Sequence, residues 1–176
     1  SGIKHIVALR GDPPKGGDYP PLDDADYFHY GNELVAAIKT HNPEFEITVG
    51  AYPEGHPQNP DKQDDLMRLK DKIEAGANRA TTQFYFSHKA FTDFERRYKD
   101  AKIETELVPG LVAIHNFDGI ARFAKSCGAH IPEELGNRFV GLEGKAHEDI
   151  ATAFMQQQLQ DLMNDDTHEV TNYTPR

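Results

Sequence analysis

Apolar positions alternate along this chain between short continuous runs and stripes at three- and four-residue spacing. Residues 3–9 form a mostly apolar run that ends at Arg10-Gly11-Asp12-Pro13-Pro14, where glycine and two prolines stop any regular element. Such a run predicts a buried strand feeding a long loop. Tyr27, Tyr30, Leu34 and Ile38 share one helical face, which predicts a helix over 26–40. A second strand is predicted over 45–52, broken by Pro53. Leu66, Leu69 and Ile73 then form a helical stripe that stops at Gly76. A third strand is predicted over 78–86, followed by a helix with Ser87 as N-cap and Phe91, Phe94 and Tyr98 on one face. Residues 104–108 read as the fourth strand, closed by Pro109-Gly110, and Ile120, Phe123 and Cys127 stripe the next helix. Two further helices are predicted over 132–141 and 146–163, and a last strand over 168–171.

Strand and helix alternate at least four times with connections too long for hairpins, the mark of parallel β-α-β units. The fold class is therefore α/β. There is no G-x-G-x-x-G after the first strand and no G-x-x-x-x-G-K-[ST], so the phosphate loops of doubly wound nucleotide folds are missing. That tilts the reading toward a (βα)8 TIM barrel. A whole barrel takes about 250 residues, whereas this chain has 176. The expectation is a single partial barrel domain spanning residues 1–176.

Composition narrows the function classes. With 29 acidic against 19 basic residues and a net charge of −10, the chain has no basic face for nucleic acid. No apolar run approaches the ~18 residues of a membrane span, and no leader is read at the start, so a cytoplasmic location is expected. The single Cys127 falls on an apolar helical face, where an inert thiol is expected. The nine histidines include no H-E-x-x-H and no zinc spacing, so no metal is assigned. Arg10-Gly11-Asp12 matches an adhesion tripeptide but ends a strand rather than decorating a loop.

In parallel α/β folds the ligand lies at the carboxyl ends of the strands. Arg10 and Asp12 follow strand one; Tyr52, Glu54 and His56 follow strand two; Gln83 lies within strand three; His115 and Asn116 follow strand four. Asp65 and Lys72 are seven apart, on one helical face. Each has a plainer reading: Arg10 and Asp12 pair across a turn, His56 is a loop residue, and Asp65 and Lys72 are a solvated face. Gln83 needs hydrogen-bond partners within an apolar strand, and a ligand is one such partner. A barrel hydrolase with a metal at His56 or Asp12 lacks a third convergent ligand.

Five segments are distinctive together. They are the run 2–14, Ala51-Tyr52-Pro53-Glu54-Gly55-His56-Pro57, the stretch 69–78, Thr82-Gln83-Phe84-Tyr85-Phe86 and Val108-Pro109-Gly110-Leu111. In order over about residues 2–163, they closely resemble methylenetetrahydrofolate reductase of the bacterial kind. The resemblance implies a flavin-containing (βα)8 barrel that takes a hydride from NADH or NADPH onto FAD and passes it to 5,10-methylenetetrahydrofolate, giving 5-methyltetrahydrofolate. It implies that Arg10, Gly11 and Asp12 lie along the flavin, with Asp12 in a catalytic role beside the isoalloxazine. It implies that Tyr30, Gly31, Gly50, Tyr52, His56, Asp65 and Lys72 bind the rest of FAD, Lys72 meeting the pyrophosphate and Asp65 a hydroxyl. Gln83 would contact the pterin, and Phe123 the folate and nicotinamide site, beside its reading as a core residue. A homo-oligomer is also implied.

In the family's register the chain begins at the fourth strand, and the strand bearing the catalytic Glu is not in it. The expectation is therefore a partial barrel of about five βα units, strands four to eight, inactive alone on folate. Tyr173 and Arg176 match the last-strand folate residues only loosely, and Arg68 and Asp71 stand where other residue types are expected at the flavin. The alternative is an inactive half-barrel that binds flavin or a partner subunit.

Overall fold

The computed structural model describes residues 2–9, 11, 26–59 and 61–165. The predicted strand at 168–171, and Arg10, Asp12, Tyr173 and Arg176, lie outside them. Four strands, β1 (His5–Ala8), β2 (Glu46–Ala51), β3 (Arg79–Thr82) and β4 (Glu106–Val108), pair in parallel in the order β1-β2-β3-β4. Helices α1 (Gly31–His41), α2 (Lys62–Glu74) and α3 (His88–Asp100) make the crossovers, and α4 (Phe117–Cys127), α5 (Glu133–Arg138) and α6 (Gly144–Asn164) follow β4. Each strand lies beside its predecessor, the order found around a barrel. Among the described strands there is no reversal of order, the mark of a doubly wound sheet.

Alternation along β2 explains the layering. Ile47, Val49 and Ala51 are buried on the face that meets the helices, where Val35, Leu66, Leu69 and Phe94 complete the main core. On the opposite face, among the described residues, Val7 of β1 is 63% exposed and Leu9 just past it 60%. A second core gathers Phe84 and Phe86, just past β3, with Ile114, Ala124, Leu135, Phe139 and Phe154 from the α4–α6 region. Gln158 of α6, itself buried, donates from Nε2 to the Tyr85 carbonyl at 2.8 Å, tying that helix to the exit of β3.

The predicted bounds change where local chemistry overrides periodicity. The helix expected over 26–40 starts at Gly31, because Glu33 Oε2 accepts the N–H groups of His29 (2.7 Å) and Tyr30 (3.1 Å), holding Tyr30 extended as N-cap. The strand expected over 78–86 ends at Thr82, beyond which the phenylalanines turn into the second core. Ser87 is the N-cap of α3 by position but makes no side-chain cap bond. At Gly76 the predicted left-handed stop is present, with φ +116°. Gly110 follows β4 against the back of β3: its N–H donates to Thr82 Oγ1 at 2.8 Å, and a Cβ there would overlap the Thr82 carbonyl oxygen.

Candidate functional site

A cavity of about 340 Å³ opens at the carboxyl ends of β1 and β2, between the N-terminus of α1 and one face of α2. The chain between β1 and α1 supplies Tyr30, and α1 begins with Gly31. β2 supplies Gly50, and the loop after it Tyr52 and His56. From α2 come Asp65 and Lys72, two turns apart. All seven described residues expected around FAD beyond strand one line this one space. Gly11 lines an adjoining cavity of about 250 Å³ that shares Leu9, Tyr30 and Gly31 with it.

Of the two cations lining the cavity, Arg68 and Lys72, Lys72 is the more deeply buried. Its Nζ donates to the Gly50 carbonyl at 2.9 Å, and burial pushes its pKa down, opposed by Asp65. Burial likewise raises the pKa of Asp65, against the pull of Lys72 and a hydrogen bond from the His56 N–H. The solvated-face reading of this pair is therefore overturned: both are half-buried and face the cavity, because α2 lies beside the strand ends. A Cβ on Gly31 would come within 2.9 Å of Lys72 Cδ, so glycine there leaves room for the lysine stem. His56 is held in place, with Nδ1 accepting the Gln58 N–H at 3.1 Å and its ring edge-on to Tyr52 at 4.6 Å.

Other residues shape the site, and apart from Glu54 and Arg68 they did not stand out in the sequence. Asp61 caps α2 by accepting from the N–H groups of Gln63 (2.9 Å) and Asp64 (3.2 Å). Arg97 of α3 donates to the carbonyls of Pro53 (3.0 Å) and Lys62 (3.3 Å), bracing the loop from behind. Glu54 Oε2 accepts the His130 N–H at 2.9 Å. Gly128, at φ +71°, abuts Pro57, where a Cβ would come within 2.8 Å of Cγ. His29, Asn32, Gln58, Asn59, Asp64 and Arg68 also line the cavity. For Asp64 the available signal was its place four residues before Arg68 on α2, but an exposed charged helix face looks the same in sequence.

The two expected folate residues lie apart from the cavity. Gln83 stands just past β3 rather than within it, and its Oε1 accepts the Phe84 N–H at 3.1 Å. Phe123 is 51% exposed, so its core reading does not hold: Ala124 takes the buried position, and Phe123 stacks on Phe84 with centroids 5.3 Å apart. This ring pair sits where α4 meets the exit of β3. Cys127 packs half-buried beside the second core. Among the described residues no group of His, Cys, Asp or Glu is arranged to hold a metal, and no helix is long and apolar enough to cross a membrane.

Comparison with known proteins adds a lineage to this geometry. Residues 1–174 match the family model for methylenetetrahydrofolate reductase. The 5,10-methylenetetrahydrofolate reductase of Escherichia coli (strain K12) is 40% identical over 146 residues, covering 83% of this chain and 47% of that protein. A probable methylenetetrahydrofolate reductase (NADPH) of Caenorhabditis elegans is 35% identical over 134 residues, 76% of this chain and 20% of that one. The chain thus spans about half the length of the bacterial relatives it matches. An uncharacterized protein from Clostridium thermocellum, solved with two copies of 5-methyl-5,6,7,8-tetrahydrofolic acid, shares the fold at a TM-score of 0.51 and 21% identity, over 73% of this chain and 46% of that one.

Proposed function

The chain belongs to the methylenetetrahydrofolate reductase family, and from that premise we propose that its strands form part of a (βα)8 barrel that holds FAD and reduces 5,10-methylenetetrahydrofolate to 5-methyltetrahydrofolate with NADH or NADPH. The observation that carries this reading is the convergence of Tyr30, Gly31, Gly50, Tyr52, His56, Asp65 and Lys72 on one cavity. Their chemistry suits a dinucleotide. Lys72 offers a partly desolvated cation to a phosphate; Asp65 offers a carboxylate acceptor to a hydroxyl; Gly31 and Gly50 keep the wall free of side chains. When bound, the flavin supplies a two-electron carrier between nicotinamide and folate.

The protein's own part is to bind and orient. Asp12, just after β1, would place a negative charge beside the flavin ring, disfavouring an anionic reduced form. Gln83 would turn its amide from Phe84 to the pterin edge, donating and accepting at once. Phe123, half-exposed on Phe84, would present a ring face to folate or nicotinamide. The resemblance assigns the family's general acid, a Glu, to no residue named above, and the chain alone is proposed not to complete the folate step.

The test is the visible spectrum of the purified chain with added FAD, followed by anaerobic titration with NADH. A bound flavin that bleaches, with no 5-methyltetrahydrofolate formed, is the expected result. Failure to bind FAD at all would overturn the assignment of the cavity. Binding without bleaching would favour the flavin-binding but inactive reading.

A further inference from the structure

His147 stands near the start of α6 and reaches across to the start of α4. Its Nε2 accepts the Phe117 N–H at 3.2 Å, one of the donors that a helix leaves without an internal partner in its first turn. Asn116 Oδ1 takes the Gly119 N–H of the same turn at 2.7 Å. The first turn of α4 is thus capped twice, once by the preceding residue and once by another helix. Phe139 steadies the imidazole, with ring centroids 5.0 Å apart, and itself stacks on Phe117 at 4.5 Å.

This contact exists in one protonation state only. To accept at Nε2 the imidazole must be neutral, with its proton on Nδ1. Protonation sets a donor against a donor, and it places a cation at the N-terminal end of α4 and beside that of α6, where both helix dipoles repel it. Charged groups on the surrounding elements are His115 and Asp118 on the α4 side, Arg138 on α5, and Glu143, Lys145 and Glu148 along α6. All six are exposed, and none forms an ion pair with His147 among the described residues. Lys145 is taken by Asp149 at 2.7 Å. Asp118, Glu143 and Glu148 act on the ring only through solvent, where screening leaves little attraction.

We infer that His147 is a pH-sensitive latch: neutral, it holds the first turn of α4 to α6, and protonated, it lets that turn go. An imidazole changes charge between about pH 5 and 8, so the latch opens on the acid side. α4 carries Phe123, whose ring stacks on Phe84 at 5.3 Å. His147 is therefore a positioning residue, acting through α4 on a ring at the exit of β3. The inference needs no bound ligand and goes beyond the flavin reading.

The test is amide exchange followed by NMR at about pH 5 and about pH 8, each rate divided by that of an unstructured amide at the same pH. It compares the 176-residue chain with His147→Gln and His147→Leu. In the wild type, protection of the Phe117 amide should fall by about tenfold or more at the lower pH, while the amides of β2 keep theirs. His147→Gln retains an acceptor that cannot titrate and should hold the protection at both values; His147→Leu should lose it at both. Equal protection of the wild-type Phe117 amide at the two values overturns the latch, and so does the wild-type pH dependence surviving in His147→Gln. The ring is also read directly, without a variant: nitrogen NMR near the higher pH should show the proton on Nδ1, and a proton on Nε2 overturns the inference. Failure of the chain to bind FAD bears on the cavity alone and does not enter this result.

Discussion

Lys72 carries a charge where burial disfavours it, and the pH dependence of binding should show this. As pH rises, a lysine with a depressed pKa loses its proton before an exposed one does, so FAD affinity should fall on the alkaline side at a pH below the usual lysine range. Lys72→Gln should weaken FAD by about ten- to a hundredfold and flatten that limb; an unchanged limb in the variant would detach it from Lys72. The same shift acts on stability: the unfolded chain binds this proton more tightly, so the contribution of Lys72 rises with pH between its folded and unfolded values. At this scale the sequence was readable where spacing was regular or loops distinctive. Asp65 and Lys72 could be placed on one face, but their burial depends on α2 lying beside the strand ends, which no local pattern encodes. Phe123 fell on a predicted apolar stripe, yet the smaller Ala124 fills the second core and leaves the ring half in solvent.

Among the elements, the exit of β3 joins the two cores. Gly110 is required there because the backbone of the fourth strand's turn presses on the Thr82 carbonyl. Gly110→Ala should destabilise the chain by about 1–3 kcal/mol or more, read as a lowered Tm, with FAD affinity measured below that Tm retained. Gln158→Leu removes a buried amide donor and strands the Tyr85 carbonyl. A loss of about 1–3 kcal/mol is expected, with amide exchange quickened in α6 before it is in β2. Element order was legible because apolar runs and helical stripes alternate cleanly. The ends were not: Tyr27 keeps helical spacing with Tyr30, but the Glu33 carboxylate captures the preceding N–H groups and starts α1 later. Gln158 gave no signal, since a glutamine inside a polar helical run reads as surface.

At the scale of the whole molecule, the described sheet leaves apolar side chains in solvent at β1. Ile3, Val7 and Leu9 stand exposed along and beside β1, and an apolar edge of this kind favours association. Val7→Lys should shift the isolated chain toward monomer in size-exclusion chromatography, with the helical signal unchanged; an unaltered elution profile would place the contact elsewhere. Parallel βα alternation was visible in the sequence, and an exposed inner face followed from expecting a partial barrel; which side chains it leaves in solvent was not visible, because strands with both faces buried show the same apolar runs. One tie reaches further. Glu54 and Pro57, in the loop that carries His56, meet His130 and Gly128 at the end of the helix that carries Phe123. A ligand that stiffens the loop therefore leaves less entropy to be lost when the helix is ordered, and the thermodynamic cycle requires the effect to be equal in both directions. Glu54→Ala should weaken that coupling equally in both directions while leaving the cavity walls in place.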